Sequence, residues 1–288
     1  MDCGASAPLC TRPLDARSAR KAVLKPRSPR NVDLEVLIET RGVSRTFGGL
    51  VAVNSVDVRV VRGQTKALIG PNGAGKSTLL NLMTGVYQAS RGDILVNGKS
   101  ITGRGSHEVA ALGLARTFQN VQLFENMTVV ENVMVGCHVW TRQGIASGAV
   151  RWIGHWREEK LIAKEAMRQL ETVGLSEAAN LPAASLPFGK QRLLEIARAL
   201  ASRPKLLLLD EPASGLSTRE TGELTALLRR IVSEGVTVLL VDHDMQFVMD
   251  ISDEVTVLDQ GHKIAEGTPE EVQNDPRVIA AYLGSEAK

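Results

Sequence analysis

The sequence is short of aromatic residues, has three cysteines and contains no long apolar run, and each shortage closes off a class of protein. Phe, Trp and Tyr together make up 3% of the chain, too few for the stacking platforms that hold single-stranded nucleic acid. Cys3, Cys10 and Cys137 show no paired spacing and no histidines at metal-ligand distances. They read as incidental thiols in a reducing compartment, and no structural metal site is expected. No stretch approaches the roughly 18 apolar residues that cross a bilayer. The best apolar runs, Leu206–Leu209 and Val236–Val241, have the length of buried strands. Any work inside a membrane therefore falls to a separate polypeptide. Charge of one sign is lacking too: 34 Lys and Arg face 32 Asp and Glu, so no overall field points to nucleic acid.

That balance is uneven along the chain. Residues 1–30 carry seven basic residues and two acids, and Pro8, Pro13, Pro26 and Pro29 break any long helix. The composition loosely resembles an organelle transit peptide, but the preferred expectation for residues 1–35 is a disordered basic extension or an early start codon. An apolar secretion core is lacking.

From about Val36 the texture becomes regular. Val36–Ile38, Val56–Val61 and Thr65–Ile69 read as strands bounded by Gly and Asn. Helical periods follow at Ser77–Thr84, Thr128–His138, Glu158–Val173, Lys190–Ala201 and Arg219–Ser233. Lys205–Leu209 and Val236–Val241 are apolar on both faces, as central parallel strands covered by helices must be. This predicts an α/β core over residues 36–285, interrupted by a mostly helical subdomain from about residue 107 to 190.

The chemistry enters at Gly70-Pro71-Asn72-Gly73-Ala74-Gly75-Lys76-Ser77-Thr78, which fits G-x-x-x-x-G-K-[ST] between a predicted strand and a predicted helix. Glycines let backbone N–H groups close around phosphate oxygens, and the helix N-terminus adds positive potential. Lys76 would reach the β- and γ-phosphates of ATP, and the Ser77 hydroxyl would ligate Mg²⁺. Leu206–Glu211 supplies the other half at a strand end, with Asp210 for the metal and Glu211 to activate the attacking water.

Further motifs in order resemble the ATP-binding-cassette (ABC) ATPases, P-loop NTPases with a RecA-like core, an antiparallel β edge and an inserted helical subdomain. Gln119 in Arg116-Thr-Phe-Gln-Asn120 looks like the Q-loop. Leu186-Pro187-Phe188-Gly189-Lys190-Gln191 occupies the place of the signature loop, Ser214–Ser217 that of the D-loop, and His243 that of the switch histidine. The resemblance implies that Gln119 contacts Mg²⁺ and senses the γ-phosphate, that His243 contacts it too, that Phe47 stacks on adenine, and that Leu186–Gln191 meets ATP held by an opposing subunit.

A finer match, to bacterial branched-chain amino acid uptake ATPases, rests on Arg45–Val53, Ala115–Asn120, Glu131–Met134, Leu193–Leu200 and Gly267–Val272 with Tyr282-Leu283. It implies two permease subunits, a second cassette ATPase (a different one, with a second copy of this chain as the alternative), an indirect role for a periplasmic solute-binding protein, no nucleic acid, and a peripheral place on the cytoplasmic face of the inner membrane. Val121, Leu123, Phe124 and Met127 offer a groove for a permease helix, or core packing. Trp140, Trp152 and Trp156 are expected to pack locally.

Two positions depart from the family pattern. Pro187 stands where the family has a serine, with neither hydroxyl nor N–H, and Ser217 stands where many D-loops carry Asp. A small-molecule kinase would not need Leu186–Gln191 with Gln119 and His243. A chromosome-organising ATPase would place a long coiled coil between Lys76 and Asp210, which are only 134 residues apart. Ribosome-associated relatives usually carry two cassettes, and within the transporter class urea and lipopolysaccharide remain open.

Overall fold

The structure, a computed structural model, describes residues 35–141 and 152–283, without the side chains of residues 152–157. The expected extension therefore lies outside the described residues, as do Cys3, Cys10 and the side chains of Trp152 and Trp156.

Two long antiparallel strands come first, β1 (Val36–Phe47) and β2 (Leu50–Val61), joined at the Gly48-Gly49 turn. Then β3 (Thr65–Ile69) runs through the glycine loop into α1 (Lys76–Met83). Next are β4 (Arg91–Val96), β5 (Lys99–Ser100), α2 (Ser106–Ala111) and β6 (Leu114–Arg116). Helices α3 (Val129–Gly136), α4 (Trp152–Thr172) and α5 (Phe188–Ala201) follow. The α/β alternation resumes with β7 (Leu206–Asp210), α6 (Thr218–Ser233), β8 (Thr237–Val241) and α7 (Met245–Ile251). The hairpin of β9 (Glu254–Asp259) and β10 (His262–Gly267) precedes α8 (Pro269–Gln273) and α9 (Pro276–Leu283).

The strands form two sheets. One is antiparallel, in the order β2-β1-β4-β5; the other runs β10-β9-β3-β8-β7-β6, parallel apart from the β10 edge. Alternation explains why the central strands are apolar throughout. Leu207, Leu209, Val238 and Leu240 face the layer containing α3 to α6, whereas Leu206, Leu208, Leu239 and Val241 face α1 and the antiparallel sheet. Each leucine so buried is worth about 1.5–3 kcal/mol against exposure, so both faces reject a polar substitution.

Two features differ from the sequence reading. The first strands are much longer than Val36–Ile38 and Val56–Val61, because one face of this sheet stays wet and its polar residues mask the pattern. The expected helical subdomain at 107–190 also contains β6, which pairs with β7 as Leu114↔Leu206 to Arg116↔Leu208. Three residues are too few to give a period. The consequence is functional, because β6 delivers Arg116–Gln119 to the end of β7.

Candidate active site

The glycine loop is closed by the elements around it. Gly70 has φ +148 and Gly75 φ +99, and a Cβ on either would strike a backbone carbonyl, that of Leu258 or of Ala52 respectively. No side chain caps the start of α1. Its first-turn N–H groups lack acceptors within the helix and are directed at the loop's mouth, which is where a phosphate would bind. The Lys76 ammonium donates to the Gly70 carbonyl at 2.6 Å and the Pro71 carbonyl at 3.0 Å. Burial lowers its pKa, opposed by the nearby charges of Glu211 and Asp210, so the lysine and both carboxylates share one electrostatic neighbourhood.

Asp210 ends the fully buried β7. Its Oδ2 accepts from the Arg116 guanidinium at 2.9 Å, and Arg116 also donates to Asn81 Oδ1 at 2.6 Å. Glu211, the next residue, adopts φ +49, a left-handed backbone that glutamate rarely takes. The Glu211 N–H is anchored on the Val241 carbonyl at 2.7 Å.

Gln119 and His243 converge on this carboxylate. Gln119 Nε2 donates to Glu211 Oε2 at 3.1 Å, and His243 Nδ1 lies 3.7 Å from the same oxygen. His243 is positioned by Asp242, whose buried carboxylate accepts from the N–H groups of His243, Asp244 and Ala213 at 2.8, 3.0 and 3.1 Å. Asp242 thus braces both the Ser214–Ser217 loop and the histidine. Sequence reasoning missed it and Arg116; the one signal for Asp242 is an acid placed directly after an apolar strand.

The segment Leu186–Gln191 lies elsewhere. Among the described residues no hydrogen bond or ion pair joins it to Gly70–Thr78. Pro187 stands at the N-cap of α5, which has no side-chain cap, so the helix presents bare N–H groups despite the missing serine hydroxyl. Gly189 is packed against Glu220, and Gln191 Nε2 donates to the Leu186 carbonyl at 3.0 Å. Ser217, in place of the usual Asp, caps α6: its hydroxyl lies 2.6 Å from Glu220, whose N–H returns to Ser217 Oγ at 3.4 Å.

Phe47, at the hairpin tip, meets Tyr87 edge-on at 5.3 Å between centroids, and the Arg45 guanidinium sits 4.6 Å from its ring. Tyr87 was not anticipated. Trp140 packs locally as expected, donating to the Ala201 carbonyl at 2.8 Å under the Arg203 guanidinium. Of the four groove candidates only Phe124 lines the cavity of about 450 Å³ between α2, α3 and α5, beside Phe118, Gln122, Val135, Val139 and Arg198. Leu123 instead packs against the main core.

The family model for ABC transporters matches residues 53–214, a span that holds the glycine loop, Gln119, Asp210 and Glu211 but stops short of His243. The chain belongs to the ABC transporter ATP-binding family. The cassette is 46% identical to the high-affinity branched-chain amino acid transport ATP-binding protein BraF of Pseudomonas aeruginosa, over 86% of this chain and 98% of that one. It is 43% identical, with the same coverage, to the protein LivG of Escherichia coli K12, which carries the same description. A model for branched-chain amino acid ATP-binding cassette transporters matches residues 262–288. Among solved structures, a nucleotide-free ABC-transporter cassette aligns with TM-score 0.75 at 31% identity, over 86% of this chain and 98% of the other. Another, solved in its ADP conformation, aligns with TM-score 0.75 at 30% identity, over 86% and 99%. The fold expectation is thereby borne out: the chain is an ABC ATPase with a P-loop NTPase core, and it works with membrane components. Among the described residues no helix is long and apolar enough to cross a membrane.

Proposed function

We propose that this ATPase powers an importer of branched-chain amino acids. The carrying observation is the 46% identity that runs along 98% of BraF and is joined by the tail match at residues 262–288. In this reading the cassette occupies residues 36–285, pairs with a second, different cassette ATPase and two permeases on the cytoplasmic face of the inner membrane, and receives solute through a periplasmic binding protein.

The geometry supports the following residue roles. The backbone of Gly70–Thr78 cradles the phosphates of ATP, and Lys76 exchanges its bonds to the Gly70 and Pro71 carbonyls for phosphate oxygens. Glu211 takes the proton of the attacking water, while Gln119 and His243 hold its carboxylate and the γ-phosphate in register. Phe47 flanks the base. An oxygen donor set of the Ser77 hydroxyl, Gln119 amide and Asp210 carboxylate suits Mg²⁺, which would neutralise phosphate charge. Leu186–Gln191 completes the partner's ATP site through the bare N-terminus of α5. A permease helix fits the cavity beside Phe118 and Phe124.

Uptake of labelled leucine, isoleucine and valine in a strain lacking this gene tests the reading, with urea as the comparison solute. Loss of all three, restored by the wild-type chain and not by Lys76→Ala, is the expected result. Intact amino-acid uptake with loss of urea uptake would remove the solute assignment.

A further inference from the structure

Helix α9 ends the described chain, and its two faces differ. Val278 is buried and Tyr282, one turn on, packs against the main core, whereas Ile279 and Leu283 are 46% and 64% exposed. The helix is therefore held by one edge, and the inward residue of its last turn is a tyrosine. The hydroxyl oxygen of Tyr282 is shut off from water and faces the Gly70 N–H just past the end of β3. Burial raises the pKa of this hydroxyl, opposed by the Gly70 N–H, so it stays neutral and keeps a lone pair for that donor.

Gly70 is confined on its other sides as well. A Cβ there would strike the Leu258 carbonyl of β9, and its own carbonyl accepts from Lys76. Four residues on, the Ala74 carbonyl accepts from the Gly261 N–H of the β9–β10 turn at 3.0 Å. Before the loop, the Lys66 ammonium of β3, 1% exposed, donates to Glu254 Oε2 of β9 at 3.0 Å and to Glu266 Oε1 of β10. The chain after residue 254 thus meets β3 ahead of the glycine loop, then the loop's first residue, then its middle. Glu254, Leu258, Gly261 and Glu266 belong to a hairpin that is fixed by pairing to β3. Tyr282 reaches the loop from outside the sheet.

We propose that Tyr282 is a positioning residue for the glycine loop: its hydroxyl holds the Gly70 N–H, and through it the C-terminal helix sets how ready Gly70–Thr78 is to receive ATP. The proposal rests on the reading of that loop given above. A loop ordered before binding spares the nucleotide the entropy of ordering it. Without the hydroxyl the Gly70 N–H faces a ring edge that accepts nothing comparable, and the loop leaves its binding shape more often.

Tyr282→Phe in the full-length chain removes the oxygen and keeps the ring. Hydrogen exchange in residues 69–75 should quicken by about 2- to 10-fold, the change that one net hydrogen bond is worth, with α9 and β9 at wild-type protection. KM for ATP should rise by about the same factor while kcat stays within about twofold, because the hydroxyl bears on the loop's readiness and not on the attacking water. Tyr282→Leu, which loses ring and oxygen together, should loosen α9 too and so separates packing from the bond. Wild-type exchange at 69–75 in Tyr282→Phe overturns the grip, and so does a loss of protection in that variant that spreads through α9. Faster exchange with a wild-type KM overturns the link to ATP. A wild-type chain in which ATP failed to slow exchange at Gly70–Thr78 would instead sink the underlying reading of the loop.

Discussion

Arg116 and Asp210, 94 residues apart in sequence, form an ion pair of 2.9 Å in which both side chains are almost fully buried. The pair joins the strand before Gln119 to the strand before Glu211, and it holds the carboxylate proposed for magnesium in a single orientation.

Arg116→Met should destabilise the protein by about 3–5 kcal/mol, because the buried Asp210 carboxylate then loses its hydrogen-bonded counterion. The double variant Arg116→Met/Asp210→Asn should regain much of that loss in thermal unfolding while remaining without ATPase activity. A double variant no more stable than the single one would show that the pair's charges are not what matters.

Glu211, the proposed base, sits on a left-handed backbone. Glu211→Gln should slow ATP hydrolysis by about 10²- to 10⁴-fold and leave ATP binding intact. Glu211→Gly should unfold at a higher temperature than Glu211→Ala, by an amount worth about 1 kcal/mol, since glycine accepts φ +49 without penalty. Equal stabilities for Gly and Ala would argue that the left-handed turn carries no strain.

Ser217 is expected to act through its cap. Ser217→Ala should lower stability by about 1 kcal/mol in denaturant unfolding, with the slope unchanged. Ser217→Thr, which keeps the hydroxyl facing Glu220, should lose much less.

Cys137 is fully buried between α3 and α4, and burial raises its thiol pKa from 9.0 to about 11. A thiol whose pKa is raised in the folded state contributes stability below its unfolded value and loses it as pH climbs through the folded one. Stability should therefore drop between about pH 9 and pH 11 more in the wild type than in Cys137→Ala, measured relative to each protein's own value at pH 8. Peptide mapping after alkylation at pH 8 should find Cys137 unmodified in the native protein and modified after unfolding.

How much of this was legible in the sequence depends on how local each feature is. Gly70–Thr78 could be read because the fingerprint and both flanking elements are contiguous, and β7 and β8 because both faces are apolar. Gln119, Glu211 and His243 had been expected to share a site, and they converge on one carboxylate oxygen. Arg116 and Asp242 were not legible. Each acts on a neighbour brought to it by the fold or on main-chain groups, as Asp242 does on the Ala213 N–H 29 residues away. No spacing rule carries that information. The β1–β2 hairpin was underestimated for a different reason, its wet, polar face masking the apolar pattern and the register shifts between Val43 and Thr46 interrupting its alternation.

That hairpin also works as a ruler. Its turn fixes the pairing Phe47↔Leu50, and three residues from the turn Ala52 lays its carbonyl against Gly75 while the neighbouring Asn54 N–H bonds to the Gly261 carbonyl at 2.8 Å. One residue added at Gly48-Gly49 would turn every side chain beyond it to the opposite face unless a new bulge absorbed the change. Length changes at this turn should therefore be tolerated in twos, and a grafted loop of odd excess would misalign Gly70–Thr78 from a distance, with every residue of that loop still in place.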